Sequence, residues 1–238
     1  MINAEIRAQI INLINKEVVP AVGCTEPMAV ALCAAKAAEV LGCRPQKVRA
    51  QLSANILKNA MGVGIPGTGM IGLPIAIALG TLIGKSEYQL EVIKDLTPET
   101  LEEGKAFIKE QRITILRKSN IEEKLYIEIE SSTETSKATV IIACAHTNIV
   151  YVEKDGNVLL DNRTTRSETC EQKDVSLDLQ MVYDFATTAP VGEIDFILKA
   201  KDYNLKAAED YETDLPAIYT VVQKQERMLG RKIAVEVE

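Results

Sequence analysis

Cys24 stands in the run Gly23-Cys24-Thr25-Glu26-Pro27, at the point where an Ala-rich helix should begin. A thiol at a helix start feels the partial positive charge of unpaired backbone N–H groups. That field favours thiolate, the form that attacks electrophiles or ligates metal. The bland alternative is a small buried hydrophobe. A second segment, Ser53-Ala54-Asn55-Ile56-Leu57-Lys58-Asn59, runs into Gly62-Val63-Gly64-Ile65-Pro66-Gly67-Thr68-Gly69. It joins amide and ammonium side chains to a loop whose N–H groups can converge on an anion. Neither a phosphate-binding Gly-Lys-Ser/Thr loop nor dinucleotide-fingerprint spacing occurs, so a small carboxylate is the expected ligand, with tight glycine packing as the alternative.

His146 is the single histidine, which excludes a His-rich metal site within this chain. Ala145-His146-Thr147-Asn148 falls where two strand-like runs meet, and turns on rigid scaffolds often host functional groups. Histidine is the side chain that titrates near neutrality, so a proton-carrying role stands beside a purely structural one. The other cysteines read as packing. Cys33 lies nine residues beyond Cys24, roughly 180° around one helix, so the two cannot chelate one ion. Cys43 follows Gly42 at a helix end of the wrong polarity for thiolate, and Cys144 ends a strand-like run. Five scattered cysteines without a C-x-x-C pair suit a reducing compartment and no disulfide scaffold. The first residues fit neither a secretory signal nor a transit peptide, so a cytoplasmic location is expected.

These groups need elements to hold them. Ile6, Ile10, Leu13, Ile14 and Val18 repeat at helical spacing and predict an amphipathic helix over 3–18, stopped by Pro20. Thr25 is the expected cap of a second, buried helix running to about Leu41, with Gly42 beyond its end. Val48, Ala50 and Leu52 alternate with polar residues as a short strand, followed by a helical turn over 54–60. Residues 62–72 read as a Gly-rich loop and 73–84 as a buried helix. Asn59 to Gly84 carries no charge, which raises a membrane span as an alternative. Seven glycines and two prolines inside it argue against that.

From Tyr88 the pattern predicts a strand at 89–94, a helix from Thr97 to about Gln111, and strands at 112–118, 124–130, 137–144, 147–153 and 158–161. Residues 162–174 form a polar linker, and helices are expected at 175–187, 191–202 and 204–228. The predicted fold class is α+β. A helical domain comprises 1–86 and 175–238, and 87–174 is an inserted lobe of mostly antiparallel sheet with a helix covering one face.

A net charge of −7, without a basic cluster and with only seven tyrosines and three phenylalanines for aromatics, argues against a nucleic-acid partner and against an anionic membrane surface.

The segments Pro20 to Pro27 and Lys58 to Gly69, in that order, carry a resemblance to the L-cysteine desulfidase family, relatives of the α-chain of iron-sulfur-dependent L-serine dehydratase. The similarity extends through the chain and includes His146-Thr147-Asn148. It implies an oxygen-sensitive lyase whose 4Fe-4S cluster is held by three cysteines and keeps one iron open for an amino-acid substrate. The implied reaction is α,β-elimination, from cysteine to pyruvate, ammonia and sulfide, or from serine to pyruvate and ammonia. By that resemblance Cys24 is a cluster ligand, and Lys58 and His146 are the catalytic candidates. Asn55, Asn59, Gly67, Thr68 and Gly69 are then expected to hold the substrate carboxylate.

Family members are nearly twice this length and carry the remaining cluster cysteines in their second half. The expectation is therefore that this chain alone holds no intact cluster and is inactive, being the N-terminal portion of a longer protein or one half of a split enzyme. Its expected partners are the amino-acid substrate, the missing half or complementary subunit, and a second copy in a homodimer. A non-catalytic module that binds a small amino acid and regulates a partner is the alternative.

Overall fold

The computed structural model describes residues 2–21, 23–121, 123–163 and 176–205. The chain divides into two compact units, Pro20–Lys173 and a second made of Met1–Val19 with Asp174–Glu238. In the second unit, α1 (Ala4–Glu17) starts at Asn3, whose side chain accepts from the Ile6 N–H at 2.8 Å. Its cap therefore precedes the amphipathic stripe, as the periodicity requires. Near the other end of the chain, α6 (Leu179–Thr188) is capped by Asp178, and a short α7 (Val191–Ile194) leads into a 3-10 turn at Asp195–Leu198. The expected linker falls largely, and the helix over 204–228 almost wholly, outside the described residues.

In Pro20–Lys173, α2 (Thr25–Leu41) ends where Gly42 takes φ 80°, a left-handed turn that a side chain would strain. Its cap is Cys24 and not Thr25. From Pro27 to Ala37 every residue but Lys36 is buried, because α2 is enclosed on several sides. It packs across β5 (Tyr126–Ser132), β6 (Lys137–Ala143) and β7 (Ile149–Lys154), and also against α4 (Leu73–Ile83). The α2–α4 contact is so close that a Cβ on Gly80 would lie 2.3 Å from the Ala31 carbonyl oxygen. α5 (Pro98–Lys109), started by a Thr97–Thr100 capping box, packs on α4.

The sheet runs β4-β1-β5-β6-β7-β8, with β1 at Lys47–Leu52, β4 at Ile113–Arg117 and β8 at Asn157–Asp161. β1 is parallel to β4 and antiparallel to β5, and the remaining pairs are antiparallel. Val48, Ala50, Leu52, Ile127, Ile129, Val140 and Ile142 point from one face of the sheet into the core shared with α2 and α4. The fold is α+β with a mixed, mostly antiparallel sheet, as the alternation of segments predicts.

Two expectations change. Residues 89–94 form no strand, because Ser86–Glu91 is a 3-10 segment with a non-helical kink at Gln89. Leu90, Val92 and Ile93 are buried all the same, so their apolarity serves the core without a strand. Nor does the boundary between 86 and 87 separate compact units, since β1 lies inside the sheet and α2 and α4 share its core. No helix among the described residues is long and apolar enough to cross a membrane. The uncharged stretch begins in the last two residues of α3 (Ala54–Ala60), then forms a small hairpin and α4.

Candidate functional site

Gly23, at φ 77°, turns the chain into α2 and lies against the hairpin, where a Cβ would come 2.8 Å from the Pro66 ring. The two segments singled out by sequence therefore touch. Cys24 follows in extended conformation and is partly buried. Its Sγ–H donates to Glu26 Oε2 at 3.0 Å, and Thr25 Oγ1 donates to the same oxygen at 3.2 Å. The other oxygen, Oε1, accepts from Asn59 Nδ2 at 3.1 Å. Glu26 thus links Cys24, the start of α2 and the last turn of α3.

This arrangement reverses the electrostatic expectation for Cys24. Burial pushes the thiol above its ordinary range, and its hydrogen bond to Glu26 pushes it further. The positive end of α2 is answered by the carboxylate in its first turn, so the resting group is a thiol and not a thiolate. In complement, the hydrogen bond from Cys24 holds the Glu26 carboxyl below the usual range, against the opposing effect of burial, with help from Asn59 and Thr25.

α3 begins at Ser53, whose hydroxyl donates to the Lys124 carbonyl at 2.7 Å and caps the Ile56 N–H. Lys58 and Asn55 are exposed on it, and Lys58 has no ion-pair partner among the described residues. Asn55 does not join the Glu26 cluster and instead lines a crevice with Arg117 and Lys124. Thr68 is buried, and its hydroxyl donates to the Ile65 carbonyl at 2.6 Å while accepting from the Met70 N–H at 3.0 Å. That side chain closes the hairpin formed by β2 (Gly64–Ile65) and β3 (Met70–Ile71). Gly67 and Gly69 flank it at φ 74° and 62°, conformations that a two-rung hairpin needs at its tip.

His146 is half-buried in the turn between β6 and β7, which Asn148 secures by donating from Nδ2 to the Ala143 carbonyl at 2.9 Å. That turn, the start of α3 and the start of α2 share one end of the sheet. The Leu41 carbonyl, at the far end of α2, meets Lys154 at the opposite end. Among the described residues no hydrogen bond joins His146 to Cys24, Lys58 or Asn59.

Cys24, Cys33 and Cys43 are free thiols, whereas Cys144, expected to serve packing alone, is disulfide-bonded. Cys33 points at the sheet, 3.3 Å from the Val140 carbonyl, and burial drives its thiol far above the ordinary range. Cys43 is exposed beyond the far end of α2. Among the described residues no three His, Cys, Asp or Glu side chains are grouped to hold a metal ion. A three-cysteine cluster therefore does not fit the described residues as they stand. The sequence reading missed Glu26; the available signal was a carboxylate two residues after a helix-start cysteine, with an amide at position 59 to meet it.

No family model matches the chain, and no solved structure does. The chain is similar to a protein named UPF0597 protein from Phocaeicola vulgatus, 59% identical over 229 residues, covering 94% of this chain and 53% of the relative. A UPF0597 protein from Bacteroides thetaiotaomicron is 60% identical over 88% of this chain and 48% of its own length. One from Porphyromonas gingivalis is 49% identical over 84% of this chain and 48% of its own length. The chain spans about half the length of the curated relatives it matches.

Proposed function

We propose that the chain is the N-terminal portion of a 4Fe-4S-dependent amino-acid lyase that eliminates sulfide from L-cysteine or deaminates L-serine. The observation that carries this reading is the Asn59–Glu26 hydrogen bond, which draws the two motifs of the resemblance together around the Cys24 thiol. Relatives of about twice this length are consistent with a second half that supplies the remaining ligands. Because the residues present do not fit a whole cluster, no reaction step is routed through one.

Within the chain, Glu26 fixes the direction of Cys24, and Asn59 fixes Glu26. Lys58, exposed on α3, is the cation proposed to meet the substrate carboxylate, with backbone N–H groups of the Gly67-Thr68-Gly69 tip as its proposed complement. His146 is the proposed proton carrier at the same end of the sheet. A cytoplasmic setting belongs to the same proposal. The expected partner is the remaining half, in the same chain or as a separate subunit.

The test uses a full-length protein, reconstituted anaerobically, with pyruvate and sulfide measured from L-cysteine and pyruvate from L-serine. Cys24→Ala should abolish turnover and alter the cluster's visible absorption. Turnover of neither amino acid by the intact protein, or wild-type behaviour of the variant, would overturn the reading and favour a non-catalytic amino-acid-binding module.

A further inference from the structure

β1 and β4 are parallel neighbours, so both strands leave the sheet in the same direction. β1 turns through Ser53 into α3, and β4 runs on from Arg117 into the loop that leads to β5. Between these exits lies a crevice of about 220 Å³ whose lining includes Asn55, Arg117, Lys118, Asn120, Glu123 and Lys124. The carboxyl ends of parallel strands are where open α/β sheets hold ligands, because the segments that follow them diverge and leave a gap faced by side chains from both.

The lining brings three cations against one carboxylate. Lys118 is committed to Glu128, 2.6 Å away. Arg117 and Lys124 have no carboxylate partner among the described residues. By comparison, Lys85, Arg44 and Lys137 each lie within 3.3 Å of an Asp or Glu oxygen, while Lys58 on neighbouring α3 shares with the crevice cations the lack of an ion pair among the described residues. Asn55 and Asn120 add amide donors that no described residue uses. Among the described residues, two cations and two amides without a partner line one small concavity and leave donors in excess of acceptors. Its volume lies below the roughly 300–1,000 Å³ of pockets for drug-sized ligands, which limits the occupant to a few heavy atoms.

We propose that this crevice binds a small oxyanion, the carboxylate or phosphate group of a metabolite. Arg117 makes the planar two-point contact, Lys124 adds the second charge, and Asn55 and Asn120 complete the shell. The assignment goes beyond the lyase reading and needs no cluster.

The 238-residue chain is titrated calorimetrically with malonate and, separately, with inorganic phosphate, in a buffer free of both. Saturable binding of either is expected, and it should weaken as salt is raised. Malonate binding alone identifies a carboxylate ligand, and phosphate binding alone identifies a phosphate ligand. Arg117→Gln and Lys124→Gln should each weaken binding about ten-fold. Lys47→Gln, the same charge change at the other end of β1, should leave it unaltered. Both crevice cations are exposed, so thermal unfolding near that of the wild type is expected, and Lys124→Gln carries the test if Arg117→Gln does not fold. Binding of neither anion, or wild-type affinity in the crevice variants, overturns the proposal. Neither probe is a substrate of the elimination, so this result and the lyase assay fail independently.

Discussion

Asn59 Nδ2 donates to Glu26 Oε1 at 3.1 Å while the opposite oxygen of that carboxylate receives the Cys24 thiol. One side chain therefore couples the placement of α3 to the orientation of Cys24. Asn59→Ala should cost about 1 kcal/mol in urea unfolding, the usual worth of such a bond. Asn59→Asp should cost more at neutral pH, because two carboxylates then face each other, and the excess should shrink as the pH falls toward 4. Wild-type stability of Asn59→Asp at pH 7 would mean that the contact is not formed.

Cys24 should be a slow nucleophile at rest. Its thiol is raised by burial and by Glu26, so little thiolate exists at neutral pH. At pH 7.5 iodoacetamide should label exposed Cys43 before Cys24, as read by peptide mass spectrometry. Labelling of Cys24 should speed up with rising pH and in Glu26→Ala. Fastest labelling at Cys24 in the wild type would restore the thiolate expected from the helix start.

Glu26 also sets a pH signature. The Cys24 hydrogen bond, opposed by burial, keeps its folded pKa below the unfolded value of 4.5. Such a carboxyl contributes stability that is fully present above the unfolded pKa and is lost as the pH falls through the folded one. The gap in urea midpoint between wild type and Glu26→Gln should be constant from about pH 7 to about pH 5.5 and narrow below 4.5. A gap that widens on acidification would contradict the sign.

Gly80→Ala should destabilise the chain by about 3 kcal/mol or more, since the new methyl meets backbone of Ala31 at 2.3 Å and no side chain can yield. Gly62→Ala has nothing within 4 Å of the new Cβ and should change stability by less than about 1 kcal/mol. Equal melting temperatures for the two variants would exclude the tight α2–α4 contact.

Elements whose signals are local were legible in the sequence. Gly42 marked the end of α2, Thr97 and Pro98 marked the start of α5, and alternation marked β5 to β8 within a residue or two. What failed was long-range. Val48, Ala50 and Leu52 alternate as any strand does, and nothing in their spacing says that β4 and β5 flank them sixty or more positions later. The lobe boundary at 86 failed for that reason. Leu90, Val92 and Ile93 misled differently, because the core claims apolar residues whatever their backbone geometry.

At the site, sequence singled out Cys24 and Asn59 but assigned them to different ligands, since the carboxylate that joins them read as an ordinary first-turn charge. Thr68 read as a ligand contact because its hydroxyl lies among glycines. In the structure that hydroxyl is already shared between Ile65 and Met70.

The burial of α2 gives the two halves of the site unequal opening energies. Amides along Met28 to Ala37 can reach solvent only when the whole unit opens, whereas the β2–β3 hairpin is held by two paired positions and the Thr68 hydroxyl. In hydrogen exchange the helix that carries Cys24 should act as the fixed anvil and the glycine tip as the part that comes and goes. The helix then holds the thiol in one place, and whatever motion the site has enters through the hairpin that lies against Gly23.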